Sequence, residues 1–421
     1  MIYFTLNYLN KIKTFPYFFL TPLVYVIGNS CEEIKLAESY VSKKKKKLII
    51  LHPYSLTFFL KYHICNKSLF KDLNYYKETN FEKILKSLLN FLLDKEFVIR
   101  RIFIIFLKKF TKKNLSRYNF PIIGIEQIFG TKKDITDHRK ELIEYEKIKK
   151  FFVKENNFDL NYQKNKYCEE KLKKFNLPYE RLVLVHVRDG QYRKDQGRKD
   201  YRNSDINSYI ESIKFLINKG YFVIRAGRKP MNKIFFKDKN FLDYSTLDLQ
   251  EDVLDLFLMK KAKFFIGTQS GILDLAQLFN KPILQTNMIA IFSKYPFKKN
   301  DRGIFRSMKK NNEFLSITDF IKLNYEYHNL WTHEINDLIF YENTAEQIYD
   351  SLNEFLDIQQ NPILTKDQKK FNEFILSEHK LHYSNNPNQL FTDYDSLKIA
   401  RLVKNSEGCL TNLNLKNLNF N

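Results

Sequence analysis

The chain has 421 residues, 44% of them hydrophobic and 28% charged, which suits two domains with full-sized cores and excludes a small stapled scaffold or a chain disordered throughout. Lys plus Arg number 70 against 48 Asp plus Glu. That formal charge of +22 points to anionic partners, while the Lys-rich, Gly-poor drift of an AT-rich genome gives an excess of the same sign.

Cys31, Cys65, Cys168 and Cys409 lie far apart with no C-x-x-C pair, so free thiols in a reducing compartment are expected. Lys11 and Lys13 precede an apolar run over residues 15–27 with the outline of an export signal, but Pro16 and Pro22 interrupt it and no A-x-A-like site follows. Residues 24–27 read instead as a β-branched strand, Gly28 as a turn, 32–42 as a helix and 48–51 as a strand. The lysines at 43–47 read as a solvated turn. Residues 81–110 are apolar but broken by Asp94, Lys95, Glu96, Arg100 and Arg101, short of the roughly 20 uncharged residues a bilayer span needs. They fit a buried helix pair or an amphipathic surface held against anionic lipid. A strand at 122–125 and a charged helix at 137–154 complete this half, and a polar stretch at 156–177 ends it.

Downstream, strands expected at 182–187, 222–226, 264–266 and 282–285 alternate with helices at 206–218, 253–259 and 272–279. Continuous apolar strands alternating with helices imply an α/β fold with a parallel, doubly wound sheet. Ligands of such sheets sit beyond the carboxyl ends of the strands, and three of those positions hold phosphate-compatible residues. His186, Arg188 and Asp189 follow the first strand, and a guanidinium fork suits phosphate oxygens. Arg225 and Gly227, with Arg228 and Lys229, follow the second. Gly267, Thr268, Gln269, Ser270 and Gly271 lead into a helix whose unpaired N–H groups favour an anion. Each admits a plain alternative, an Arg188–Asp189 ion pair or an unliganded Ser/Thr cap; three on one edge point to a diphosphate, as in a nucleotide sugar.

The runs VLVHVRDGQYR, YRNSDINSYI, YFVIRAG and DVLDLFLMKKAKFFIGTQSGILDLAQLFNKPIL resemble a family of bacterial glycosyltransferases of surface polysaccharide synthesis, including O-antigen. More distantly they are similar to GDP-fucose-dependent fucosyltransferases and heptosyltransferase-type enzymes. The resemblance spans about residues 180–290. It implies a GT-B fold of two Rossmann-like domains facing a cleft: an acceptor-side domain over 1–160, a nucleotide-sugar-binding domain over 175–360, and a helical or irregular tail over 361–421. It also implies donor-phosphate contacts by His186 and Arg188, a diphosphate cradle at Gly267, Thr268 and Ser270, and a family segment at Tyr201, Arg202, Asn203 and Asp205.

On this reading the partners are a nucleotide-sugar donor, with a GDP-sugar as the guess, and a glycan or lipid-linked acceptor. No other cofactor, no metal and no nucleic acid are expected, and the place is the cytoplasm, with peripheral attachment to an anionic inner membrane face. Arg188 would stabilise charge on the leaving diphosphate. The base that takes the acceptor proton stays open among Asp189, Asp205, Glu32, Glu33 and Glu126. The one D-x-D, at Asp393 and Asp395, follows no expected strand. Two other readings are a non-catalytic binder of nucleic acid or anionic membrane, and another nucleotide-using enzyme, although no G-x-G-x-x-G follows the first strand of either half.

Overall fold

A computed structural model describes residues 2–22, 27–52, 65–74, 78–111, 123–124, 158–191, 201–289, 295–326, 337–385, 407–418 and 420. The chain divides into two compact units, Met1–Glu170 and Lys171–Asn421. The readings at 137–154, Glu126, Asp393 and Asp395 lie outside the described residues.

The first unit opens with helix α1 (Ile2–Lys11), strand β1 (Tyr17–Leu20), helix α2 (Ile27–Lys44) and strand β2 (Lys47–Ile50). The two strands are parallel, in register from Tyr17 with Lys47 to Leu20 with Ile50. The first strand thus comes earlier than expected. Residues 23–26 are outside the described set, and Ile27 already begins the helix. The YFFL run suits a strand because Phe18, Phe19 and Leu20 are all buried, and the Asn10 amide pairs with both the N–H and the C=O of Phe19 at 2.8 Å.

Residues 80–111 form one 32-residue helix, α3 (Asn80–Thr111), not a pair. Thr79 and Glu82 start it with reciprocal side-chain to backbone bonds of 3.2 and 2.8 Å. Its inward side sets Leu85, Leu89 and Leu93 against Leu6, Phe19, Ile49 and Ile123. Among the described residues this unit shows a β-α-β element and a short antiparallel pair (Leu73–Asn74 with Asp159–Leu160) rather than a full doubly wound sheet.

The second unit is built on seven parallel strands: β3 (Leu182–His186), β4 (Phe222–Arg225), β5 (Phe241–Asp243), β6 (Phe264–Gly267), β7 (Ile283–Met288), β8 (Arg302–Phe305) and β9 (Cys409–Leu410). Their order is β9-β8-β7-β6-β3-β4-β5. Helices α4 (Ile210–Asn218), α5 (Asp252–Lys261), α6 (Gly271–Leu278) and α7 (Ala345–Gln360) follow in chain order. Period-2 alternation sends Val183, Val185 and Val187 to one face, where they meet Ile213 and Leu216 of α4 and Ile348, Leu352 and Phe355 of α7. The intervening Leu182 and Leu184 are buried as well, as a sheet covered on both sides requires.

The stretch expected to be a tail belongs to this unit: Cys409 and Leu410 pair with Arg302 and Gly303 as the edge strand. A two-residue strand has no periodicity to read, which is why the sequence hid it.

Candidate functional site

Strand order reverses direction between β3 and β6, and that switch point is where open α/β sheets bind ligands. His186 ends β3 opposite Gly267, the last residue of β6. A Cβ on Gly267 would lie 2.3 Å from the His186 carbonyl oxygen, so only glycine permits this approach. Beyond the strands the two loops lock together. The Arg188 N–H donates to Thr268 Oγ1 at 3.0 Å, and the Thr268 N–H donates to the His186 carbonyl at 3.2 Å.

Arg188 is partly exposed and its Nη1 donates to Asn203 Oδ1, while its carbonyl accepts from the Ser204 N–H at 2.8 Å. The Tyr201–Asp205 segment therefore folds back over Arg188 and fixes the guanidinium. Arg306, just after β8 and buried, holds that segment in turn through the Asn203 carbonyl and Ser204 Oγ at 2.6 Å. Glu342 also lies 3.9 Å from it. Sequence reasoning missed Arg306 because it missed β8, so the strand-end rule had nothing to act on. Tyr201 packs tilted against Phe340 with ring centroids 4.3 Å apart, and Arg202 is partly exposed.

The second loop divides its labour. Thr268 binds the Arg188 backbone, and Gln269 Oε1 accepts from the Ile289 N–H at 2.9 Å. Gly271 starts α6, with Ser270 at the N-cap in extended backbone. Ser270 makes no side-chain cap bond, and its Oγ is buried without a hydrogen-bond partner. A buried hydroxyl left unsatisfied at a helix start is where a ligand oxygen is accommodated best. Asp274, in the first turn of α6, opposes this by placing an acid near the same helix end.

The other expected site residues have partners of their own. His186 Nδ1 lies 3.0 Å from the Ala226 carbonyl, and desolvation pushes its pKa down to about 4. The imidazole is neutral near pH 7 with Nδ1–H donating, so Nε2 has no proton to offer a phosphate. His186 is a buried, neutral group that ties the end of β3 to Ala226.

In the third loop the cations are paired with carboxylates. Arg225 is fully buried and pairs with Asp243 at 3.0 Å. Arg228 bonds Asp252 and Asp255, both at 2.5 Å, with Tyr244 reaching Asp255 at 3.2 Å. Lys229 pairs with Asp248 at 2.6 Å. Gly227, at φ +144, makes the turn, where a Cβ would meet Met231 Sδ at 2.2 Å.

The expected bases are also occupied. Asp189 accepts backbone N–H groups from Gln191 at 3.1 Å and Asn232 at 2.6 Å, one on each oxygen, and so ties two loops together. Asp205 caps the turn at Ile206–Tyr209 by accepting from Asn207 at 2.9 Å. Glu33 belongs to the first unit and is buried in α2, which starts at Ile27, so Glu33 no longer opens a helix.

Behind the edge, a buried polar network ties β7 to the neighbouring chain. Tyr209 meets Thr286 Oγ1 at 2.5 Å, Asn287 donates to the Tyr209 oxygen at 3.1 Å, and Asn287 and Asn343 exchange backbone to side-chain bonds of 2.7 and 2.8 Å. Desolvation pushes the Tyr209 phenol up to about 12, so it stays protonated. Among the described residues no group of three or more His, Cys, Asp or Glu is placed to hold a metal ion.

No family model, no curated protein and no solved structure matches the chain. The fold is mixed α/β with a seven-stranded, Rossmann-like parallel sheet.

Proposed function

We propose that this protein is a glycosyltransferase of the two-domain GT-B plan. It would carry a sugar from a nucleotide-sugar donor to a glycan or lipid-linked acceptor in surface polysaccharide synthesis, without a metal ion. The reading rests on one observation above others: the Arg188 N–H bonded to Thr268 Oγ1 at the switch point, which gathers a guanidinium, an unsatisfied Ser270 hydroxyl and the start of α6 at neighbouring strand ends. The choice of sugar transfer among nucleotide chemistries comes from the resemblance of residues 180–290.

In the reaction the acceptor oxygen bonds to the anomeric carbon while the bond from that carbon to the diphosphate oxygen breaks. The electron pair goes to the diphosphate, and the acceptor proton goes to a general base. Arg188 holds the growing negative charge, with its planar fork pre-set by Asn203. Such preorganisation costs no reorganisation at the moment of bond breaking.

A thermal-shift panel of GDP, UDP, CMP and their sugar conjugates tests the reading, because a ligand at about 100 times its Kd adds roughly 2.7 kcal/mol of apparent stability. One nucleoside diphosphate and its sugar conjugate are expected to raise the melting temperature, and turnover is expected to persist in excess EDTA. A shift with NAD alone, or with none of the nucleotides, overturns it.

A further inference from the structure

Helix α3 turns an apolar face to solvent. Ile84, Leu88, Phe91, Ile99, Ile102 and Phe103 are between 52% and 68% exposed, while Leu93 and Phe97 on the opposite side are buried. Helical spacing keeps Ile84, Leu88, Phe91, Ile99 and Ile102 on one side with Phe103 at its margin, and Ile84 to Phe103 spans roughly 28 Å at about 1.5 Å per residue. Among its described side chains Lys95 is charged, and its Nζ lies 5.3 Å over the Phe91 ring. Alongside, α1 is tied to α3 by the Tyr3 N–H donating to Glu96 Oε2 at 3.0 Å and adds exposed Phe4 and Tyr8.

Contiguous apolar surface of this extent marks an interaction site. Among the described residues no helix is long and apolar enough to cross a membrane, so the stripe is suited to lying on one. Charge selects the occupant. Helix α3 carries seven Lys or Arg against three Asp or Glu, and of those acids Glu82 is buried against Lys47 at 2.7 Å. Two copies of a chain at +22 repel one another, whereas anionic headgroups attract it. We infer that this face docks on an anionic lipid surface, with the apolar stripe entering the headgroup boundary and Lys95 reaching the phosphates along its alkyl stem. The inference is independent of the sugar-transfer reading.

Flotation of the full chain with phosphatidylcholine vesicles, with and without phosphatidylglycerol, tests it. Binding is expected to be on the order of tenfold tighter with the anionic lipid. The triple variant Ile84→Ser, Leu88→Ser, Phe91→Ser is expected to lose at least about tenfold of that binding with its far-UV circular dichroism unchanged, since it removes only exposed apolar area. Should that variant not fold, Lys95→Glu keeps the apolar area and reverses one charge, and a several-fold loss is expected. The inference fails if the wild type binds neither vesicle, if both variants float like the wild type, or if the wild type is a dimer that the triple variant turns into a monomer. That last outcome would assign the stripe to a second copy.

Discussion

Two loops at the same edge of the same sheet carry arginines, and they differ in what surrounds them. After β3, Arg188 is partly exposed and is held by the neutral amide of Asn203, beside a buried Ser270 hydroxyl that lacks a partner. After β4, Arg225, Arg228 and Lys229 are each matched by carboxylates: Asp243, then Asp252 with Asp255, then Asp248. Carboxylates neutralise the cations after β4, whereas Asn203 orients the Arg188 fork through an uncharged amide. The β4 loop is a brace, and the β3 and β6 loops are the candidate site.

Arg228→Ala should cost the most, roughly 3 kcal/mol of stability in urea unfolding, because it leaves two largely buried carboxylates facing each other. Nucleoside diphosphate affinity should stay unchanged; a parallel loss of binding would erase the distinction between the loops.

Next comes Arg188→Lys, which replaces a planar fork with a point charge. A loss of about 1.5 to 3 kcal/mol of donor affinity is expected by calorimetric titration, with stability nearly constant. Equal affinities would remove Arg188 from the site.

Acid tests the role of His186. Its folded pKa of about 4 lies below the ordinary 6.5, so the unfolded chain binds more protons between those values. The stabilising effect of the neutral ring is complete above pH 6.5 and is lost as pH falls from there to about 4. Between pH 7 and 4.5 this amounts to about 2 kcal/mol, a loss that His186→Gln should lack. His52 in the first unit, pushed down to about 3 by desolvation, acts in the same direction.

The smallest effect separates ligand from fold. Ser270→Ala should cost about 1 kcal/mol of donor affinity, yet leave stability equal or slightly raised, because the hydroxyl it removes is unsatisfied and makes no cap bond. A destabilised variant would show that Ser270 serves the helix instead.

Much of the second unit was legible in the sequence. Buried parallel strands read as continuous apolar runs, so 182–187, 222–226 and 264–266 fall within a residue of Leu182–His186, Phe222–Arg225 and Phe264–Gly267. The short strands Phe241–Asp243 and Cys409–Leu410 were not, because too few residues carry the pattern. In the first unit the strand came early for a related reason: YFFL is stabilised by the Asn10 amide, a contact between residues nine apart that no periodicity announces.

What the sequence determined alone is the alternation that builds the sheet and the residue types waiting at its strand ends, since period and composition are local properties. Which cations after β4 meet carboxylates was decided only by the tertiary structure. Asp243, Asp252 and Asp255 reach their partners across 18 to 27 residues of chain, and a charge is defined by its neighbours in space.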